Sequence, residues 1–293
     1  MKMERATATR FSPLDSPSKE FTVHHLLGTG LVDVRQVKCR GSCRHRSDEE
    51  CAGHTHLVFP FRGVYLRHLG GDQAVADANH VLFFNRGEGY RVSHPVAGGD
   101  TSLVVSIPEA MLAELTPGTL RNPGDELTFK LQHLRIDARA QALVMLLRHS
   151  LEQKSIESLE AEGLSLTLVS RAIGPRTSRA SGATYARRRL VDRVKVLLAG
   201  DLSRRWTLAD IAAEIGGSPV YLTQAFQQVE GLPLYRYQLR LRLARALDLI
   251  AGREDLSGLA QDLGFSSHSH FTAAFRQAYG MTPSEFHASV SRG

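Results

Sequence analysis

The chain has 293 residues, 42% of them hydrophobic, and a net charge of +6. That is enough apolar material for one large core or two ordinary ones, and the length favours two domains. No run approaches the ~18 consecutive apolar residues of a membrane span, and the first residues lack the apolar segment of a secretory signal. A cytoplasmic protein without membrane contact is expected, and its positive charge favours a polyanionic partner.

Residues 1–20 are read as a disordered N-terminus. From Phe21 to about Pro108, short β-branched and aromatic runs such as HLVFPFRGVYLRHL and DANHVLFFNRGEGYRV alternate with Gly, Asn and Asp. These are strand and turn signals for roughly six to eight strands. All three cysteines fall between residues 39 and 51, an odd number that argues against a disulfide framework. In CRGSCRHRSDEECAGHTH, Cys39, Cys43, His45, Cys51, His54 and His56 place six soft or borderline ligands in 18 residues. Cys-x3-Cys is an acceptable zinc spacing, and Arg40, Arg44 and Arg46 favour thiolates, the nucleophilic and metal-binding form. Cys39, Cys43, Cys51, His54 and His56 are therefore candidates for zinc or another soft metal ion, or for thiol sensing. The alternative is that Cys39 continues the Val37 face of a strand and the others occupy a polar loop.

After Pro108 the pattern turns helical. DARAQALVMLLRHSLEQ puts Ala140, Leu143, Val144, Leu147 and Leu151 on one stripe, and SIESLEAEGLSLTLVSRAI continues as a second helix. Gly174 to Thr184 is rich in Gly, Ser and Arg without periodicity, so a linker is expected over 174–186.

Residues 187–293 read as helical throughout and contain a duplication. TLADIAAEIGGSPVYLTQAFQQVEG and DLSGLAQDLGFSSHSHFTAAFRQAYG superpose with Ile211/Leu259, Ile215/Leu263, Leu222/Phe271, Phe226/Phe275 and Gly231/Gly280 in step. Each copy predicts a short helix, a turn at Gly216 or Gly264, a capping Ser, and a second helix ending at Gly. Helix, tight turn, helix is the unit whose second helix enters a major groove. PLYRYQLRLRLARALDLIAG between the copies predicts a long helix with Leu239, Leu243, Ala246, Leu247 and Ile250 on one stripe and its arginines directed elsewhere. Leu222, Phe226, Phe271 and Phe275 are expected to face inward. That leaves Val220, Tyr221, Thr223, Gln224 and Gln227 on the first reader, and Ser269, His270, Thr272, Ala273 and Arg276 on the second. Short donors and acceptors approach base edges closely, Gln pairs with adenine, and Val meets a thymine methyl. From Arg187 onward, fourteen Lys or Arg stand against ten Asp or Glu, a net +4, where a phosphate-facing surface needs it. Arg240 and Arg276 are the expected phosphate contacts.

These two motifs resemble the AraC/XylS family of bacterial transcription regulators, closely over about Val191 to Phe286 and only in layout elsewhere. The resemblance implies that both second helices read major-groove segments on one face of the duplex, with Val220, Thr223, Gln224, His268, Ser269, Thr272 and Ala273 at base-facing places. The family often has Arg where this chain has Gln224 and Ala273, so the target sequence does not carry over. It further implies an activator working through RNA polymerase, a homodimer, and a cupin-like β-barrel ahead of the DNA-binding domain, with helices at about 138–172 as the dimerising surface. The expected fold is thus α+β in two domains: a barrel with dimerisation helices over 21–173 and an all-α tandem helix-turn-helix domain over 187–293. A small barrel holds one ligand, the expected effector.

Two other functions remain beside a regulator with an effector. One is an architectural or constitutive DNA-binding protein. The other is a cupin-type metal enzyme fused to a DNA-binding domain, with His54, His56 and His94 as ligands. The Glu that such a site requires is missing after His56, and neither a phosphate loop nor a catalytic triad is legible. The chain is read as a non-enzyme.

Overall fold

The computed structural model describes residues 21–41, 44–124, 126–174 and 183–291. The segment expected to be disordered, Cys43, and residues 175–182 of the expected linker lie outside them.

The N-terminal half is built from antiparallel strands β1 (Phe21–Gly28), β2 (Asp33–Cys39), β3 (Glu50–Cys51), β4 (His56–Gly63), β5 (Tyr65–Leu69), β6 (Asp72–Ala76), β7 (His80–Phe84), β8 (Gly89–Ser93), β9 (Asp100–Ser106) and β10 (His133–Arg135). One sheet runs β1-β2-β9-β4-β7-β10 and the other β3-β8-β5-β6. The chain passes from β4 in the first sheet to β5 in the second at Gly63, whose φ is +75°. A Cβ there would lie 2.0 Å from Gly99 O, so only glycine allows this approach. Successive side chains on a strand point to opposite faces, and the sequence uses both. On β9, Leu103 and Val105 join the core beneath the helices, while Val104 joins a second core between the sheets. On β7, Val81 and Phe83 go one way, Leu82 and Phe84 the other. Both faces are buried, which is why HVLFF reads as an uninterrupted apolar run.

The expected barrel is corrected to an open pair of sheets. Closure needs hydrogen-bonded neighbours around the whole circumference. Among the described residues no ladder joins the sheets, and β1, β10, β3 and β6 remain edges.

Helix α1 (Glu109–Leu115) follows β9, and α2 (Ala138–Glu152) and α3 (Ser158–Ile173) cover the six-stranded sheet. The C-terminal half comprises α4 (Tyr185–Gly200), α5 (Leu208–Ile215), α6 (Pro219–Glu230), α7 (Leu234–Ile250), α8 (Leu256–Asp262), α9 (His268–Tyr279) and α10 (Pro283–Ser291). Local chemistry sets the ends of these helices. Thr207 and Asp210 form a reciprocal capping box on α5, and Ser218 caps α6 with Pro219 in its first turn. Ser267 caps α9, and Gly231 and Gly280 end α6 and α9 in the left-handed conformation.

The two turns differ in one respect that can be tested. Gly216 and Gly264 both have positive φ, +81° and +75°. A Cβ at Gly216 meets nothing within 4 Å, whereas one at Gly264 would sit 2.3 Å from Ser203 O. Gly216→Ala should therefore cost about the penalty of a backbone conformation that side chains rarely adopt, ~1–3 kcal/mol. Gly264→Ala should cost clearly more, because the obstructing atom is backbone. Urea melts of the two variants compare them directly; equal midpoints would contradict the packing described.

Candidate nucleic-acid interface

Leu222, Ala225 and Phe226 of α6 and Phe271, Ala274 and Phe275 of α9 are buried. Helical spacing then forces the residues between them outward. On α6, Val220, Tyr221, Thr223, Gln224 and Gln227 are exposed, Val220 at 66%. On α9, His268, Ser269, His270, Ala273 and Arg276 are exposed and Thr272 is half-buried.

The α9 face is partly organised. Thr272 Oγ1 lies 3.3 Å from His268 Nε2, and Ser266 Oγ lies 3.0 Å from His270 Nδ1. The His270 ring stands edge-on to Phe265 with centroids 5.6 Å apart. His268, Ser269, Thr272, Ala273 and Arg276 share one open concave surface, and Gln277 and Thr282, which the sequence reading did not select, line it too. Gln277 lies one turn beyond Ala273 on the same helix, so period 3.6 was the signal that could have found it. On α6, Thr223 donates its hydroxyl to Pro219 O at 2.9 Å, and the Arg187 guanidinium lies over the Tyr221 ring at 5.8 Å.

The arginines divide into two groups. Arg276 is exposed on the concave surface. Arg240 is half-buried, and burial, the largest influence, lowers its pKa against the opposing charges of Asp137 and Tyr279. Several others satisfy carbonyls at helix ends and turns. Arg242 donates to Leu202 O at 2.8 Å and Gly264 O at 3.0 Å, Arg205 to Phe265 O at 3.0 Å, and Arg193 to Ile215 O at 2.7 Å. Part of the positive charge counted toward phosphate thus holds the domain together. Helix α7 differs from its expected single stripe for the same reason: Tyr237, Leu241, Ala244 and Asp248 are buried as well, because both helix-turn-helix units and the N-terminal half pack around it.

In the N-terminal half, a half-open cavity of about 130 Å³ lies between the two sheets, close in volume to an engineered cavity of ~150 Å³ that accepts benzene. Its walls are apolar, with Val58, Phe84 and Val104 among them, and its polar groups include Glu50, Tyr90, His56, Cys39, His94 and Asp100. Tyr90 donates its hydroxyl to Glu50 at 3.0 Å; burial raises the Glu50 pKa while that bond lowers it. Burial brings His56 down to about 4, so its ring is neutral at physiological pH; the ring stacks on Phe84, centroids 5.1 Å apart.

The cysteine and histidine candidates are dispersed. Cys39 lies at the cavity with His94 and Asp100, and one ligand atom from each is within 4.8 Å of the others. Cys51 is exposed on β3. His54 Nε2 lies 2.9 Å from Ser106 Oγ, and the His54 and His56 rings are 5.1 Å apart. Among the described residues, Cys51, His54 and His56 do not join the group around Cys39. Asp100 carried no sequence signal because its relation to Cys39 is the β2–β9 register, which pairs the two directly.

The halves meet through buried charges. Lys195 Nζ is 2.7 Å from Glu230 Oε1, and His80 Nε2 is 3.6 Å from Glu230 Oε2. His80 Nδ1 is 2.8 Å from Asp77, whose other oxygen accepts from the Tyr237 hydroxyl. Nearby, Asp248 of α7 is bound by Arg62 of β4 at 2.9 Å, Arg148 of α2 at 2.8 Å, and Arg245.

Comparison with known proteins decides what the paired helices are. A family model described as a helix-turn-helix domain matches residues 211–289, from α5 into α10 and so across both copies. The probable transcriptional regulator LumQ of Photobacterium leiognathi is 28% identical over 231 residues, 74% of this chain and 86% of that protein. The transcriptional activator RhaR of Klebsiella pneumoniae is 27% identical over 250 residues, 80% and 86% of the two chains. Over the helix-turn-helix region the chain is similar to the AraC/XylS regulators. A solved AraC-type regulator from Chromobacterium violaceum is 26% identical and covers 37% of this chain and 98% of its own, at a TM-score of 0.35. With this helix-turn-helix domain and regulators as relatives over most of its length, the chain is a DNA-binding transcription regulator. Among the described residues no helix is long and apolar enough to cross a membrane.

Proposed function

We propose that this chain is an AraC/XylS regulator that reads two successive major-groove segments with α6 and α9 and that a small effector in the intersheet cavity sets its DNA affinity. The observation that carries the DNA reading is the pair of capped helices, each seated on a buried aromatic, each presenting short polar and apolar side chains to solvent, with α7 between them. The effector reading is supported by a cavity that is apolar in its walls and polar at a few convergent points, the ordinary make-up of a small-molecule site. Strand β7 offers a route between the two, since Phe84 at one end lines the cavity and His80 at the other meets Glu230 of α6. Binding changes DNA affinity only if it favours one of two arrangements of the halves. The regulator is further proposed to work as a homodimer through α2 and α3, where Leu159 stands 80% exposed, to contact RNA polymerase as an activator, and to act in the cytoplasm without enzymatic activity.

The test is a base-preference profile of the full chain. Gln224→Ala and Thr272→Ala should each relax preference at particular base pairs by about 1–3 kcal/mol, while Arg276→Ala should weaken all sequences nearly alike and lower the salt dependence by roughly one phosphate contact. An unchanged profile in Gln224→Ala would show that α6 sits elsewhere.

A further inference from the structure

We propose that Cys39, His94 and Asp100 form a binding site for a single borderline divalent cation, zinc(II) by donor set, at the polar end of the intersheet cavity. The proposal concerns binding, which is independent of the regulatory reading; only a signalling role for the ion would rest on that reading.

The three residues come from separate segments, two strand ends and a loop, and are held together by backbone. Cys39 ends β2 and pairs in register with Asp100, the first residue of β9, while His94 follows β8. Glycines make the approach possible. Gly99 has φ +68°, and a Cβ on it would lie 2.1 Å from Cys39 O; Gly41 also has φ +68°, and its Cβ would lie 2.5 Å from Gly99 Cα. Any side chain at either position would push the β2 end away from the loop that carries His94 and Asp100. The close contact is thus encoded in residues that allow nothing else.

The donors suit the ion. Thiolate, imidazole and carboxylate are the three zinc ligand types. With a thiolate and a carboxylate around a doubly charged cation the assembly is neutral, which fits a site walled by Val37, Val92 and Phe84. Zinc bond lengths of ~2.0–2.3 Å in a tetrahedron place donors roughly 3.5 Å apart, so a group already within 4.8 Å closes on an ion with small movements. His94 supplies a second, independent sign. It is 3% exposed, its Nε2 is 2.7 Å from Asp100 Oδ1, and its Nδ1 is buried without a hydrogen-bond partner. A buried polar atom left unmatched calls for a ligand or a compensating group. Three protein donors leave a fourth position facing the cavity, where a water or a small anionic ligand completes the shell.

Purified full-length protein, stripped with a chelator and titrated with zinc and separately with cobalt(II), tests the site. One ion per chain is expected, and the cobalt form should show a thiolate-to-metal charge-transfer band in the near ultraviolet. Cys39→Ser and His94→Gln should each weaken zinc binding at least ~10-fold, and Cys39→Ser should abolish the charge-transfer band. Cys51→Ser, at an exposed strand residue outside the group, should retain both. Circular dichroism melts and DNA binding of the same samples establish that each variant is folded, so loss of the ion is read separately from loss of the DNA-binding domain. Wild-type protein that binds no more metal than folded Cys39→Ser would overturn the proposal, as would retention of the band in Cys39→Ser with its loss in Cys51→Ser.

Discussion

Lys195→Ala is expected to destabilise the protein by about 3–5 kcal/mol, the cost of leaving buried charges without their partner. Lys195 is 1% exposed and lies against Glu230 at 2.7 Å. Asp192 and Asp77 also act on its charge, but they keep Gln73 and His80 as partners, so its removal chiefly strands Glu230 in the interior. Replacing both partners, as in Lys195→Met with Glu230→Leu, should cost much less than either single change, because no charge is left uncompensated. Urea denaturation of the single and double variants supplies the cycle; a double variant as unstable as the sum of the singles would show that the pair is not coupled. The same cluster predicts a pH dependence. Burial alone would raise the Glu230 pKa, yet Lys195 and His80 hold it well below its unfolded value of 4.5. A depressed carboxylate contributes stability that is complete above the unfolded value and is lost as pH falls below it. Asp77 is lowered in the same sense, with His80 the leading influence against burial. Since the cluster joins α4, α6 and α7 to the β6–β7 turn, acid should loosen the contact between the halves before the helix-turn-helix cores melt. Hydrogen exchange in 77–80 and 230–237 below pH 4.5 should rise ahead of exchange in α9.

Phe275→Ala and Phe226→Ala should each cost about 3–5 kcal/mol, the range for emptying a buried aromatic site. Both rings are fully buried. Phe275 stands edge-on to Phe271, Tyr279 and, tilted, Phe286, with centroids 5.7, 4.6 and 6.0 Å away. Phe226 meets the Tyr237 ring edge-on at 5.2 Å. The two variants should fail differently. Phe275 belongs to a core shared with α2, α3 and the six-stranded sheet, whereas Phe226 belongs to a smaller core formed by α4 to α7 together with Ala78. Phe275→Ala should therefore lower the transition of the whole chain, and Phe226→Ala should loosen α4 to α6 first. Melting followed by near-ultraviolet circular dichroism and by DNA binding separates the two; a Phe275→Ala protein that melts like the parent would mean that this ring is not a core residue.

The helix-turn-helix pair was legible because its determinants are local. Capping Ser218 and Ser267, turn glycines 216 and 264, C-terminal glycines 231 and 280, and aromatics four residues apart act within a turn or two of chain. Duplication then displayed each signal twice. The inward face of α6 and α9 followed from period 3.6 alone, and burial of Leu222, Phe226, Phe271 and Phe275 agrees with it. The strand-rich character of residues 21–106 was equally local. What only the tertiary structure decided lies in relations between distant segments. Whether strands close into a barrel depends on pairing across the whole circumference, and here the sheets stay open. Which arginines face phosphate and which tie helix ends depends on what packs against α7, and the sequence shows only that they are charged. Lys195, Glu230 and Asp248 enter the sequence reading only as charges in a count until the two halves pack around them. Cys39 was grouped by sequence with its neighbours up to His56, but strand register sets it beside Asp100 and His94. Proximity along the chain governs caps and turns, whereas a shared site is governed by the antiparallel ladder, whose partners no single stretch of sequence contains.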